Sequence, residues 1–433
     1  MKKLSHQRKL LIAKILIFVF AFVLAVMPSS ASRNLEVNSR VIVEMLGIDS
    51  IDEGLELTAQ YAMPLAEDGA TSKSKVTVRG RTITEAVDEL HSALGRRVEL
   101  GHCSIIVVGE NFDPHILGTL VTASDITANV YLGAAEKKAS DLIGQITDFM
   151  KKTGATDADF IAYSAKKSHV ATTTLLNFLS ELGSASQSAF MPLVEILDES
   201  GASKPQGGEG QGGGSSGGGD QSGSGQGGQN GGQSGGQSGG SSGGGQDGGG
   251  QDGGSSGGGS SNQTGAVSSG MALKKLALYG NEGRRGIIDE FGMRGVAWIS
   301  SPVEKSVVVT ELEYNGEYYD SVSARLLNKD SDVTVDIDNN SATVRLRVSL
   351  EPNCSTFNRL MIESGGAARE AIKQAYARSI EKELRTAFEQ SKAYDCDPFF
   401  LKRDLYRFAP DKYDGDYDLN DLEVEYKIRI DIQ

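Results

Sequence analysis

The chain has 433 residues, a formal net charge of −14, 54 glycines and three cysteines. Setting aside the five basic residues of positions 1–31 leaves 38 basic against 57 acidic side chains. Such a surface repels polyphosphates and carries no basic patch with interleaved aromatics, which argues against nucleic-acid binding. Cys103, Cys354 and Cys396 are odd in number and lack framework spacing, which argues against a disulfide scaffold.

Lys2, Lys3, Arg8, Lys9 and Lys14 precede an apolar run from Ile15 to Met27, and Pro28-Ser29-Ser30-Ala31-Ser32 follows. A basic start, a short apolar stretch and small residues form an export signal, with Ser29 and Ala31 suited to signal peptidase. The rival reading is an uncleaved anchor. Leu10–Met27 is 18 residues long and only Lys14, which can snorkel, interrupts it. In both cases the basic flank stays inside and the bulk of the chain lies outside.

Arg40–Asp49 and Leu55–Tyr61 flank the turn Asp52-Glu53-Gly54 and read as strands, the second with one wet face. A third strand is predicted at Lys75–Val78. The spacing of Ile83, Val87, Leu90 and Leu94 predicts a helix over Ile83–Leu94, with Thr82 and Glu85 at capping-box spacing and Gly95 as its left-handed stop. Val98–Val108 follows and includes Ser104-Ile105-Ile106-Val107-Val108, a buried strand by composition. Helices are expected at Pro114–Ala123, Ala139–Met150 and around Leu175–Leu182, and strands at Ala128–Ala134 and Phe190–Leu197.

From Gly201 to Gly270 the chain is almost wholly Gly, Ser, Gln and a few Asp. That composition buries no apolar area to offset ordering entropy, so a disordered Gly/Ser/Gln-rich segment is expected. A strand at Ala272–Tyr279, a helix at Arg285–Phe291 and the run Val296–Ile299 come next. Val307–Glu313 and Ser321–Leu327 alternate as strands. Val333, Val335 and Ile337 face Val344, Leu346, Val348 and Leu350 across Asn339-Asn340, a hairpin pattern. Ile372, Tyr376, Ile380, Leu384 and Phe388 predict a long helix over Ala367–Lys392, and Leu422–Ile432 alternates strictly as a half-buried strand. The pattern is that of an α+β protein with largely antiparallel sheets.

Three candidate chemistries arise from the residues. His102 and Cys103 are adjacent, but successive strand residues point to opposite faces, so a base and its nucleophile cannot meet there if both belong to the strand. The alternative is a small core cysteine beside a satisfied polar histidine. His91, His102 and His115 follow no metal-ligand spacing. In the acidic loop 414–425, Asp414, Asp416, Asp418 and Glu425 sit at positions one, three, five and twelve of a calcium loop. Leu419 stands where that loop needs glycine, and a solvated acidic loop is the simpler reading. No G-x-S-x-G, H-E-x-x-H, paired C-x-x-C or phosphate loop is present. No catalytic, cofactor-binding or metal residue is therefore assigned, and a non-enzymatic protein is expected.

Several segments in order resemble one family. They are Val43–Asp49 (VEMLGID), Leu57–Pro64 (LTAQYAMP), Leu100–Glu110 (LGHCSIIVVGE), Asn129–Ile143, Phe190–Ile196, Lys275–Arg285, Val333–Glu351, the long helix and Cys396-Asp397-Pro398-Phe399. In these the chain resembles the C-subunit family of spore germinant receptors, the Ger(x)C-type germination proteins. The resemblance implies three mixed α/β domains: 34–150, 151–300 interrupted by the tract 201–270, and 301–433 with one long helix. It implies an exported, membrane-tethered subunit on the outer face of the spore inner membrane. Its partners would be integral-membrane, transporter-like A and B subunits, and it brings no catalytic set, cofactor or metal. Family members usually carry an acylated lipobox cysteine, which Pro28–Arg33 lacks, and the glycine tract interrupts the family pattern between two strands. The competing functional classes are an exported cell-surface adhesion or spacer protein and an exported hydrolase.

Overall fold

Met45 to Asp49 has no clean alternation because that part of the strand is covered on both faces, whereas Val41 to Glu44 still alternates between buried and more exposed positions. In this computed structural model, which describes residues 14–18, 20, 22, 40–64, 71–153, 170–197, 270–300, 306–336, 338, 340–413 and 418–433, that strand is β1 (Arg40–Ile51). It pairs antiparallel with β2 (Gly54–Pro64) and parallel with β4 (Arg97–Glu99) and β5 (Ile105–Val108). β2 pairs antiparallel with β3 (Thr71–Gly80). Alternate residues of β1 and β5 feed two separate cores. Met45, Ile105 and Val107 pack with Leu142, Ile143 and Ile146 of helix α3 (Ala139–Thr153). Leu46, Ile48, Ile106 and Val108 pack with α1 (Ile83–Leu94) and α2 (His115–Ala123). Two-sided burial of parallel strands produces this near-continuous apolar reading.

The same sheet continues through β6 (Tyr131–Ala134), flanked by the short β7 (Thr173–Thr174), to β8 (Ala189–Leu197), β9 (Gly270–Gly280) and β10 (Gly283–Ile288). Its order is β10-β9-β8-β6-β5-β1-β2-β3, ten strands with β4 and β7 off the path. Only Ala134 and Leu193 are paired between β6 and β8, so the two halves of the sheet meet at a narrow parallel joint. Helices α4 (Leu175–Leu182) and α5 (Glu290–Ser300) flank the second half.

A second sheet has the order β11-β12-β13-β14, formed by Val307–Tyr314, Glu317–Asp336, Ser341–Pro352 and Glu423–Ile432. Its inner face packs on α6 (Ser355–Lys392) through Ile372, Tyr376, Ile380, Leu384 and Phe388, the stripe read from the sequence. Tyr376 ties the layers by donating from Oη to the Val322 carbonyl at 2.8 Å. A last helix, α7 (Leu401–Phe408), returns the chain toward β14. The architecture is α+β with mostly antiparallel ladders. Parallel pairing is confined to β4, β5, β6 and β8 around β1, and to β13–β14.

Local chemistry sets many boundaries. Helix α1 starts where the Thr82 hydroxyl accepts from Glu85 N at 3.2 Å and stops at Gly95, φ 59°. Elsewhere tertiary pairing overrides propensity. The expected helix Arg285–Phe291 is instead strand β10 followed by α5, which absorbs Val296–Ile299. β9 pairs with residues 283–288, and the Tyr394 ring occupies the space a Cβ on Gly286 would need. The predicted strands Ser321–Leu327 and Val333–Ile337 are one strand, β12, bent by a bulge between Leu326 and Asn328. Ile337 and Asn339 lie outside the described residues. Helix α6 begins well before Ala367, because the Cys354 thiol caps it by accepting from Phe357 N at 3.3 Å, and Gly365 then breaks the helical path. β6 is shorter than Ala128–Ala134, and β3 longer than Lys75–Val78. Lys14–Phe18, Phe20 and Phe22 are helical and exposed, while the rest of segment 1–31, all of 201–269 and Asp414–Tyr417 lie outside the described residues.

Asp49 ends the VEMLGID segment and explains it. Its carboxylate is buried at 5 % exposure and accepts from Ala139 N at 2.7 Å and Ser140 N at 2.9 Å, the first amides of α3. The anion thereby satisfies orphan donors at the positive end of the helix dipole. Gly109, in the LGHCSIIVVGE segment, leaves the necessary room: a Cβ there would sit 2.2 Å from Asp49 Oδ1. Gly109→Ala is expected to destabilise the protein by about 1–3 kcal/mol through overpacking. Asp49→Ala should cost a similar ~1–3 kcal/mol through unsatisfied buried amides. Urea midpoints of the two variants and of the double variant check this; the two losses should be less than additive, because both act on one contact.

Candidate functional site

The residues singled out by sequence lie apart. His102 and Cys103 occupy the turn between β4 and β5, not the strand itself. Cys103 is buried and its thiol donates to the Ile105 carbonyl at 3.2 Å. Burial pushes that thiol up to about 12, against the smaller opposing pull of the Ile105 and Leu46 backbone. A thiol so protonated is a core group rather than a nucleophile. His102 is exposed. His91 accepts from Val98 N through Nδ1 at 3.0 Å, so that lone pair anchors the start of β4. His115 opens α2, and among the described residues no group of three or more His, Cys, Asp or Glu side chains is placed to hold a metal ion. Asp418 accepts from Asn420 N at 2.8 Å as a local cap, and Glu425 points outward from β14.

The structure gathers polar groups around Asp397, in the segment Cys396-Asp397-Pro398-Phe399. Asp397 is 2 % exposed. One carboxylate oxygen accepts from Leu401 N at 2.9 Å; the other accepts from Lys402 N at 2.8 Å and from the Ser186 hydroxyl at 2.7 Å. Asp397 N donates to Ser188 Oγ at 3.0 Å, and Arg403 N donates to Ser186 Oγ at 3.0 Å. One carboxylate thus caps α7 and fastens it to the turn between α4 and β8. Burial raises the Asp397 pKa above the usual carboxylate range, opposed by the Ser186 hydroxyl and the helix amides. The stacked pairs Phe190–Phe400 and Phe388–Phe399 continue the seam on either side.

Beside this anchor is a cavity of ≈ 530 Å³ walled by α4, β8, the end of α5, β12 and α7, with Phe178, Phe190 and Phe400 among its apolar residues. Arg403 lies 4.7 Å over the Phe400 ring and is ion-paired with Glu181 and Asp404. Its guanidinium is therefore committed to joining α4 and α7. Burial raises Glu181, with Arg403 opposing. A second buried carboxylate, Glu383 of α6, accepts from Trp298 Nε1 of α5 at 2.6 Å, and burial raises it too. Sequence reasoning found Asp397 only as part of a quoted segment. It missed Ser186, Ser188, Glu181 and Arg403, because these partners are more than 200 residues apart along the chain. The Ser-x-Ser spacing at 186–188 is the one local trace of the contact.

Raised carboxyl pKa values have a definite sign. Between the unfolded value of about 4 and the raised folded value, the folded state binds more protons, so the contribution to stability falls as pH rises through that window. Asp397→Asn is expected to flatten this part of the slope of urea midpoint against pH above pH 4, and to cost about 1–3 kcal/mol at neutral pH by mismatching the α7 amides. An unchanged slope would show that Asp397 keeps an ordinary pKa.

Comparison with known proteins gives two family matches in tandem. Residues 33–196 match the spore germination protein N-terminal domain, and residues 275–433 match the spore germination B3/GerAC-like C-terminal domain. A solved structure titled "Crystal Structure of the GerBC protein" is 12 % identical, covers 89 % of this chain and 96 % of its own, and has a TM-score of 0.43. No curated protein matches the chain. Among the described residues no helix is long and apolar enough to cross a membrane. With both family matches in order and covering most of its length, the chain belongs to the Ger(x)C-type spore germination proteins, the family of germinant-receptor C subunits.

Proposed function

We propose that this protein acts without catalysis, as the subunit of a spore nutrient receptor that lies on the outer face of the spore inner membrane and docks onto integral-membrane, transporter-like A and B subunits. The observation that carries this reading is the paired family match over residues 33–196 and 275–433. Residues 1–31 would export the chain and, if uncleaved, tether it. The folded part would comprise the domains 34–150, 151–300 and 301–433.

The chemistry of the interior supports a docking role. Asp49, Asp397 and Glu383 each accept hydrogen bonds that fix one helix against a distant element, and the Cys103 thiol is held protonated in the core. Groups in these roles position surfaces. A subunit that docks onto partners needs such fixed joints to hold its surfaces in one geometry.

Affinity isolation of the tagged chain from spore inner membrane should co-purify two integral-membrane subunits. Loss of the gene should abolish or slow germination with at least one nutrient while leaving spores viable. Recovery of the chain alone from the membrane fraction, together with normal responses to every nutrient, would overturn the reading.

A further inference from the structure

The cavity beside the Asp397 anchor has an enclosed end and an open end. Its ≈ 530 Å³ lies within the range of small-molecule sites, and its walls come from both sheets and three helices. Phe178, Phe190 and Phe399 line the enclosed end as buried aromatic rings. Phe408, at the C-terminus of α7, stands at the mouth and is 82 % exposed.

The charged groups of the wall are paired off with one exception. Glu181 and Asp404 both hold Arg403, and Asp332 of β12 holds Arg345 of β13 at 3.2 Å. The second oxygen of Glu181 is enclosed and offers a ligand no surface. Arg407 lies one helical turn beyond Arg403 on α7, is exposed, and has no ion-pair or hydrogen-bond partner among the described residues. An ion pair with Asp404, three residues back, would have neutralised it, but Asp404 turns to Arg403 instead. Helix α7 starts beside the turn that ends α4, where Arg403 N donates to Ser186 Oγ. One turn back from Glu181 on α4 is Asn177, which is exposed, lines the same cavity, and has a side-chain amide that no described group engages. Two uncommitted donor groups, one of them cationic, therefore stand at the open end of a pocket with an aromatic floor.

We propose that this cavity binds a small organic monocarboxylate, with its carboxylate on Arg407 and Asn177 and its apolar body against Phe178, Phe190 and Phe408. A guanidinium fork matches a carboxylate bidentately, and the carboxamide of asparagine adds a further donor. The paired carboxylates nearby limit the charge of the ligand. A dianion such as a phosphate ester is repelled by Asp404 and Asp332, whereas a single negative charge is balanced by Arg407. A cationic ligand meets Arg403 and Arg407 on either side of Asp404. The aromatic floor favours an apolar body, which releases water from the rings when it enters. This binding role goes beyond the docking reading and does not depend on it.

The test uses the full chain in phosphatidylcholine nanodiscs, with empty discs as the blank, and saturation-transfer NMR titrations of three probes. These are 3-phenylpropionate, the neutral 3-phenylpropanamide of similar shape, and the cationic phenethylamine. The carboxylate should bind about tenfold more tightly than the amide, because the neutral probe loses the charge-assisted bonds to Arg407. The amine should bind more weakly than either. Arg407→Gln changes an exposed side chain without a partner, so the melting temperature should hold while the carboxylate falls to the level of the amide. Phe408→Ala should weaken acid and amide by the same factor. Equal binding of acid and amide, a preference for the acid that survives Arg407→Gln, tighter binding of the amine, or no binding of any probe overturns the proposal.

Discussion

One enclosed carboxylate decides how the last third of the chain meets the rest. Asp397 sits where the chain leaves α6, and it spends both oxygens on the amides of α7 and on Ser186. A buried anion without partners is intolerable, and one with three good donors is tolerable but gains little net stability. What the arrangement supplies is uniqueness of position. Sliding α7 by one residue along α4 would strand the carboxylate and both serine hydroxyls, so competing packings of the same apolar surfaces are penalised.

The same device recurs at the neighbouring joint. Glu383 of α6 accepts from Trp298 of α5, while Lys329 and Ser331 of β12 reach the carbonyls at the C-terminus of α5. Donors at that end of a helix satisfy orphan acceptors. Burial lowers Lys329 to about 7, which makes its amine a neutral donor over part of the physiological range. Helix α5 is therefore held at its C-terminus by the four-stranded sheet and along its side by α6. The apolar packing that surrounds these bonds provides most of the stabilisation, and the bonds choose which packing forms.

Legibility followed the range of the determining contacts. Helix α1 could be read to the residue because its cap, stripe and stop lie within fourteen positions, Thr82 to Gly95. The buried β5 and the alternating β14 were equally plain. Residues 283–288 misled because Gly-Arg-Arg-Gly-Ile-Ile shows no period-two alternation, while the strand is imposed by pairing with β9 and by Tyr394 more than a hundred residues away. The start of α6 was hidden by an unusual cap, a cysteine thiol, and by the glycine break that separates its first turns from the regular stripe. Around Asp397 only half of the site was visible, since a hydrogen bond between residues 186 and 397 leaves no periodic signal in either segment.

The position of the glycine-rich tract follows from strand pairing. Leu197, the last residue of β8, is paired directly with Gly270, the first of β9. The two ends of the intervening segment are thus fixed one strand spacing apart by the sheet itself, and β8–β9 pairing runs on through Ala189 and Tyr279 without reference to what joins them. For a flexible loop, lengthening a hairpin turn to roughly 70 residues adds only about 2–3 kcal/mol of closure entropy, because the cost grows with the logarithm of length. The ladder, the Phe190–Phe400 stack and the Lys275–Glu195 ion pair all lie on the sheet side of that joint. A long insertion can therefore be carried at this hairpin without disturbing either the register or the Asp397 anchor that begins a few residues upstream at Ser186, which is why the family pattern resumes intact at Lys275.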